Sequence, residues 1–153
     1  MNVRVIAYEV TGWGVGELWL NGEVLVAHEL PSVRAVARPA PEAAPLRDRI
    51  VAYFRGEPDG FADVELDLDG ATAFQRAVVA ALRAVPYGET VTYGELAALA
   101  GHPNAHRAVG SVCARNRFSI VVPCHRVVAA DSLGPYGALG TEYKRRLLAL
   151  EAR

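Results

Sequence analysis

The sequence predicts an α+β protein in which a small lobe of sheet and helix precedes a mostly helical domain. Apolar residues alternate near the N-terminus, and an Asn-Gly pair separates two of the apolar runs, as in a β-hairpin. After Gly70 the apolar residues recur at helical spacing, and the net charge changes sign. We therefore expect two domains, over residues 1–69 and residues 70–153.

The N-terminal lobe is predicted to be a small antiparallel sheet with one helix. Asn21-Gly22 is the expected hairpin turn, because both residues tolerate a positive φ. Val64, Leu66 and Leu68 alternate with acidic residues, which favours a further strand. The predicted elements are strands at 3–10, 17–20, 23–30 and 64–68, a Pro/Ala-rich loop at 30–45, and a helix at 46–57.

The C-terminal domain is predicted to consist mainly of helices. Two short helical patterns are joined by Gly101-His102-Pro103, which is the shape of a helix-turn-helix. The second helix of that motif commonly contacts DNA, although many paired helices bind no nucleic acid. The apolar, β-branched run at 118–123 favours a buried extended segment that leads to Cys124. The predicted helices are 71–85, 92–101, 104–116 and 141–153.

The charge distribution favours a negatively charged partner for the C-terminal half. Residues 1–70 carry 6 Lys and Arg against 12 Asp and Glu, whereas residues 71–153 carry 10 against 5. Phosphate attraction is local, because exposed charges are screened beyond about 10 Å, so the net charge of −1 does not exclude nucleic acid. A chance surface dipole explains the same asymmetry and remains open at this point.

The composition excludes several classes of protein. No apolar run is long enough to span a membrane, and the N-terminus lacks the pattern of a signal peptide. Two cysteines cannot build a disulfide framework, and no C-x-x-C or H-x-x-x-H spacing suggests a metal site. We expect a cytoplasmic protein that uses no metal or cofactor and has no membrane partner.

The segment 120–128 holds the candidate chemistry. Cys124 is followed by His125, and a thiol becomes a strong nucleophile when a neighbouring base removes its proton. An imidazole in that role needs a third group to fix its tautomer, and Glu151 on the last helix is a candidate. The alternative is a structural buried cysteine beside an exposed histidine. That interpretation is the one we favour for Cys113, which has no adjacent titratable partner.

Five motifs together resemble one family. The V-P-C-H-R-V hexapeptide around Cys124 is similar to the active-site motif of the O6-alkylguanine-DNA alkyltransferases, the methylated-DNA–protein-cysteine methyltransferases. Four further matches occur in the family's order and spacing: P-Y-G-E-T-V-T-Y-G-E-L-A at 86–97, H-R-A-V-G at 106–110, Asn116, and K-R-R-L-L-A-L-E at 144–151. The resemblance covers residues 70–151. It implies a ribonuclease H-like fold for the lobe over residues 1–69.

The resemblance implies a role for each catalytic residue. Cys124 is the alkyl acceptor, His125 is its base through a water molecule, and Glu151 orients His125. Asn116 is the hinge between the helix pair and the active-site segment. Tyr93 crowds the target phosphate, helps to rotate the nucleotide outward, and assists the leaving guanine through its hydroxyl. The product is a thioether that nothing releases, so each molecule reacts once.

The resemblance also implies how DNA is bound. The target guanine is rotated out of the duplex, and Arg107 fills the vacated space while the second helix enters the minor groove. Backbone carbonyls near Cys124 and Val127 read the guanine amino group, and Tyr136 forms a wall of the base pocket. The partner is therefore double-stranded DNA with O6-alkylguanine, bound by a monomer, and O4-alkylthymine is a second candidate substrate. Small residues let the helix approach the groove closely: Ala105, Ala108, Gly110 and Ser111.

Two departures from the family pattern affect these expectations. Arg117 replaces the usual proline after Asn116, which removes a rigid φ and adds a cation, so we expect a looser hinge or a phosphate contact. Tyr136 lies one residue early relative to Cys124, which weakens its assignment to the pocket wall.

Three alternatives to a suicide alkyltransferase remain at this stage. An alkyltransferase-like protein binds the lesion without transfer, but such proteins lack the acceptor cysteine. A regulator would use the helix-turn-helix alone, with the Cys-His pair incidental. A cysteine hydrolase would need an oxyanion site and a water to release its intermediate.

Overall fold

The computed structural model describes residues 2–35, 37–39 and 42–153, which form two compact units. The first unit contains the described residues up to Asp67 together with Arg117–Ser119. The second unit contains Leu68–Asn116 and Ile120–Arg153. The chain therefore leaves the second unit for three residues and returns to it shortly before Cys124.

The first unit is built on a three-stranded antiparallel sheet, which confirms the predicted α+β class. The strands are β1 (Val3–Val10), β2 (Gly14–Asn21) and β3 (Val24–Ser32), in that order across the sheet. Gly22 has a φ of 62° in the hairpin turn, a value that glycine adopts without strain. Helix α1 (Pro45–Phe54) contacts β1 and buries Ile50, Tyr53 and Phe54. These side chains pack into the core of the unit together with buried strand residues such as Leu18 and Leu25.

Two predictions for this unit differ from the structure. One expected strand is absent, and one expected loop lies partly outside the described residues. The expected strand at 64–68 is wrong: Leu66 makes a single parallel bridge to Leu25, in which Leu25 donates to the Glu65 carbonyl oxygen and accepts from the Asp67 N–H, and the bridge is not extended into a ladder. The predicted loop at 30–45 includes Val36, Ala40 and Pro41, which lie outside the described residues. Strand β3 occupies the first three residues of that predicted loop, up to Ser32.

The second unit is mostly helical, as predicted. Two of its helices begin with capping boxes, in which Thr72 pairs with Gln75 and Thr92 pairs with Glu95. Strands β4 and β5 form a short parallel ladder beside α3. The elements are α2 (Ala73–Arg83), β4 (Val91–Thr92), α3 (Tyr93–Leu99), α4 (His106–Ala114), a 3-10 helix (Cys124–Arg126), β5 (Val127–Val128) and α5 (Gly140–Glu151).

The segment before Cys124 is buried, but it is not continuously extended as predicted. Ile120 has a φ of 76° and the chain turns at Ile120-Val121. Ile120, Val121 and Val122 are nonetheless at most 2% exposed. The apolar composition therefore indicates burial, but it does not indicate the turn that the backbone makes at Ile120.

Helices α3 and α4 pack against each other and are joined by residues 100–105. Asn104 adopts a φ of 74° in this connection, a conformation that asparagine tolerates better than most residues. Leu96 and Val109 are fully buried, so each helix contributes an apolar residue to the core. Within the described residues, no helix combines the length and the apolar character that crossing a membrane would require.

Candidate active site

Cys124 begins the 3-10 helix and is held by Asn116. The side-chain amide of Asn116 donates to Cys124 Sγ at 3.2 Å and to the carbonyl oxygen of Val122 at 2.8 Å. Cys124 is only 8% exposed. A hydrogen bond to sulfur stabilises the thiolate relative to the thiol. Asn116, which lies just beyond α4, therefore couples the end of that helix to the sulfur atom.

Opposing effects set the acidity of the Cys124 thiol. Burial raises its pKa and is the largest effect, while the amide of Asn116, the charge of Lys144 and the hydroxyl of Tyr136 lower it. The net result is a raised pKa, so the resting side chain is the neutral thiol. A reaction at this sulfur consequently needs a group that removes the proton.

His125, the next residue in the chain, is the candidate for that group. It is fully buried, and its Nε2 lies 2.6 Å from Glu151 Oε2. The Glu151 carboxylate also accepts hydrogen bonds from Arg126 and from the backbone N–H of Gly88. Because an ionised carboxylate only accepts, Nε2 of His125 carries the proton. Burial lowers the pKa of His125, so the ring is neutral and its Nδ1 holds a lone pair that can accept a proton.

Arg126 is a structural member of the site to which the sequence analysis assigned no role. Its guanidinium makes two hydrogen bonds to Glu151, at 2.8 and 3.0 Å, and a third to the Val85 carbonyl oxygen at 2.8 Å. Arg126 and Glu151 are each 4% exposed. A buried carboxylate is stable in its charged form when it is paired in this way. The C-H-R order therefore places a base and the cation that secures its carboxylate side by side.

Lys144 is a second charged residue that the sequence analysis did not assign to the site. It is fully buried on α5, and its ammonium donates to the carbonyl oxygens of Val127 at 2.6 Å and Pro135 at 3.3 Å. Burial lowers its pKa, whereas the two cysteines raise it. The spacing of Lys144, Leu147 and Glu151 puts all three on one face of α5, and this periodicity is the signal that marks the lysine as inward-facing.

Two tyrosines lie close to the thiol. Tyr93 begins α3, and burial together with the neighbouring cysteines raises the pKa of its hydroxyl. The Lys144 ammonium lies 6.0 Å from the centre of the Tyr93 ring. Tyr136 is half-buried, stacks on Tyr143 at 6.3 Å and lowers the pKa of Cys124 through its hydroxyl. Tyr93 and Tyr136 are therefore both near enough to Cys124 to interact with it electrostatically or through the hydroxyl.

Helix α4 presents an exposed face with one cation and several small residues. Arg107 and Ser111 are exposed on successive turns, and the Ser111 hydroxyl donates to the Arg107 carbonyl oxygen at 3.3 Å. Val109 faces the core on the opposite side. The remaining small residues of the predicted DNA-binding surface are Ala105, which precedes the helix and is partly exposed, Ala108, which is exposed, and Gly110, which is partly exposed.

The states of Arg117, which departs from the family pattern, and of Cys113 follow from their surroundings within a single unit. Arg117 donates to the Asp67 carbonyl oxygen at 3.1 Å and lies 5.2 Å from the Phe118 ring centre, so its guanidinium is engaged within the first unit. Cys113 is partly exposed on α4, and burial raises its pKa to about 12. A thiol of that acidity is a poor nucleophile near neutral pH.

Comparisons with known proteins agree on one family. Residues 73–153 match the model of the 6-O-methylguanine DNA methyltransferase DNA-binding domain. The methylated-DNA–protein-cysteine methyltransferase of Mycolicibacterium paratuberculosis is 43% identical over 158 residues, with 97% of this chain and 94% of that protein covered. The crystal structure of Mycobacterium tuberculosis O6-methylguanine methyltransferase gives a TM-score of 0.83 at 37% identity, covering 99% of this chain and 93% of that one. The crystal structure of Mycobacterium tuberculosis OGT in complex with DNA gives a TM-score of 0.79 at 38% identity, covering 96% of this chain and 92% of that one.

Proposed function

Since this chain belongs to the 6-O-methylguanine DNA methyltransferase family, we propose that Cys124 is the residue that accepts the alkyl group in DNA repair. The protein is a DNA-binding methylated-DNA–protein-cysteine methyltransferase, and transfer is favoured over lesion binding without chemistry. The observation that carries the assignment is the contact of the Asn116 amide with Cys124 Sγ, beside the His125–Glu151 pair.

The proposed reaction is a displacement at the alkyl carbon of O6-alkylguanine. The thiol proton passes through a water molecule to Nδ1 of His125, and the Glu151 carboxylate stabilises the imidazolium that forms. The Cys124 sulfur forms a bond to the alkyl carbon as the bond from that carbon to O6 breaks. The leaving guanine takes a proton from the Tyr93 hydroxyl. A thioether is a poor electrophile, so the alkyl group stays on the protein.

The substrate reaches the sulfur by nucleotide rotation. The O6 atom lies inside the duplex, and extruding the base costs a few kcal/mol of unstacking. We assign Arg107 to the vacated position, with α3 and α4 acting as a helix-turn-helix that enters the minor groove. The exposed small residues of α4 support a close approach to the DNA backbone. Monomeric binding and O4-alkylthymine as a further substrate belong to the same proposal.

Recognition of the base is assigned to two backbone carbonyls and one ring. The carbonyl oxygen of Cys124 accepts the Val127 N–H, and that of Val127 accepts the Lys144 ammonium. Each carbonyl has a second lone pair with which it can accept the guanine amino group. Tyr136 forms a wall of the pocket. Lys144 thereby fixes the orientation of one of the two reading groups.

The experiment is a single incubation with duplex DNA that contains O6-methylguanine, followed by intact-mass measurement and peptide mapping. We expect one methyl group on Cys124 of the wild-type protein. Cys124→Ala is expected to take up no methyl group and to keep its affinity for the lesion duplex, because the thiol contributes little contact area. Cys113→Ser serves as the matched control and retains transfer. Methyl uptake by Cys124→Ala, with label on Cys113, contradicts the assignment.

A further inference from the structure

A buried hydrogen-bonded pair in the first unit, Tyr8 and His28, takes no part in the chemistry proposed above. Tyr8 Oη lies 2.5 Å from His28 Nε2, and His28 Nδ1 lies 2.6 Å from the carbonyl oxygen of Ser119. A carbonyl oxygen only accepts, so Nδ1 carries the proton and Nε2 accepts from the tyrosine hydroxyl. Burial lowers the pKa of His28 to about 4, so the ring is neutral near pH 7.

His28 holds the segment Arg117–Ser119 through two hydrogen bonds. Its backbone N–H donates to the Arg117 carbonyl oxygen at 2.7 Å, and its ring donates to the Ser119 carbonyl oxygen. The residues on either side of this segment, Asn116 and Ile120, belong to the second unit. The three residues held by His28 are therefore the part of the chain that lies immediately before the approach to Cys124.

The loop from Asn116 to Cys124 is fixed at two places. Asn116 closes it, because its amide contacts both the Val122 carbonyl oxygen and Cys124 Sγ. His28 fixes its middle through Ser119. Between these two attachments lies Ile120, a β-branched residue with a φ of 76°, in the left-handed region that such residues avoid. A conformation of this kind persists when surrounding contacts determine it, and cutting one attachment lets it relax.

We propose that His28 is a positioning residue for alkyl transfer, which holds Arg117–Ser119 so that the loop presents the Cys124 sulfur to the Asn116 amide. The inference rests on the proposed function, because it assumes that Cys124 is the acceptor. His28 acts through Ser119 and the intervening chain.

The test compares His28→Leu with His28→Asn in single-turnover transfer from duplex O6-methylguanine at saturating DNA. Leucine fills the space but cannot donate, whereas the asparagine amide can still reach the Ser119 carbonyl oxygen. We expect His28→Leu to lower the first-order transfer constant about tenfold or more, since misplacing a reacting group by about 1 Å costs up to roughly 100-fold. His28→Asn is expected to recover most of that loss. Binding to unmodified duplex is expected to stay unchanged in both.

Ile50→Ala is the control for a general loss of stability in the first unit, because Ile50 is fully buried on α1. It is expected to lower the melting temperature and to transfer at the wild-type rate. The inference is overturned if folded His28→Leu transfers at the wild-type rate, if His28→Asn is as slow as His28→Leu, or if Ile50→Ala is slowed to the same extent.

A measurement on the wild-type protein covers the case in which His28→Leu does not fold. Nitrogen-15 NMR of the imidazole is expected to show the neutral ring of His28 with its proton on Nδ1. A proton on Nε2, or a charged ring near pH 7, overturns the inference. Absence of methyl transfer by the wild-type protein overturns the proposed function and the inference with it, whereas the variant outcomes above overturn the inference alone.

Discussion

Glu151 is the residue on which the buried polar groups of the second unit converge. Its carboxylate accepts from His125, from Arg126 twice and from the backbone of Gly88. These hydrogen bonds have two effects, one on stability and one on the chemistry of His125. They offset the cost of burying the Arg126 cation, and they fix which nitrogen of His125 carries the proton. Stability and reactivity therefore depend on the same side chain.

Replacing Glu151 by glutamine is expected to lower both the stability of the protein and the rate of methyl transfer. Removing one partner of a buried ion pair typically costs about 3–5 kcal/mol, because the other charge stays buried without compensation. Methyl transfer is expected to slow as well, since His125 loses the anion that stabilises its protonated form. Urea unfolding and single-turnover transfer measure the two effects.

Glu142→Gln is the matched control for that substitution. Glu142 pairs with Arg145 at 2.7 Å on the same helix, but the side chains are 77% and 56% exposed. Exposed pairs contribute about 0–1 kcal/mol, so we expect little change in either measurement. Equal losses of stability and of transfer rate from the two substitutions would show that the buried hydrogen bonds of Glu151 contribute no more than an exposed ion pair.

At the level of secondary structure elements, α4 connects the proposed DNA-binding surface to Cys124, the proposed nucleophile. Arg107 is exposed in its first turn, while Asn116, two residues beyond its end, contacts Cys124 Sγ. The helix is short and contains Gly110, which weakens its intrinsic stability. Its conformation is maintained by packing, with Val109 fully buried.

Arg107→Ala is expected to slow repair of duplex substrate far more than reaction with the free base O6-benzylguanine. The arginine acts on a stacked duplex, so a free base that enters the pocket gains nothing from it. Rates on both substrates are measured against Arg115→Ala, which removes an exposed cation at the other end of the same helix. Similar losses on both substrates would assign Arg107 to folding or to the pocket.

On the scale of the whole molecule, local chemistry explains which elements were predictable. The hairpin next to Asn21-Gly22 and the periodic helices are each signalled by residues that lie close together in the chain. The strand expected around Leu66 was wrong because its ladder depends on partners far along the chain. The turn at Ile120 was also not predicted. An apolar run indicates that a segment is buried, but it does not indicate the direction of the backbone.

The candidate site was also predictable only in part. The motif around Cys124 singled out the proposed nucleophile and the proposed base beside it, because their types and order are those that the proposed chemistry needs. Arg126 and Lys144 received no role because charged residues are usually exposed. Their burial follows from specific acceptors, namely Glu151 for Arg126 and the Val127 carbonyl oxygen for Lys144, that only the folded chain supplies.

The alkylated protein is expected to be less stable than the free protein. Cys124 is 8% exposed, and inserting carbon atoms into a filled site typically costs about 1–3 kcal/mol. The unfolded chain is nearly unaffected by the adduct. Thermal melts of unmodified, methylated and benzylated protein, each confirmed by mass, are expected to show a drop that grows with adduct size. Melting temperatures that stay level or rise would indicate a roomy pocket.

The burial that raises the pKa of Cys124 also governs which reagents reach the sulfur. Peroxides and soluble alkylating agents react with thiolates, so a protonated, enclosed thiol is consumed slowly by them. For a catalyst that turns over, such side reactions would lower the rate slightly. For a protein that reacts once, each oxidation of the acceptor thiol inactivates one molecule. The burial of Cys124 and the neutral form of its thiol therefore both disfavour loss of the protein to such side reactions.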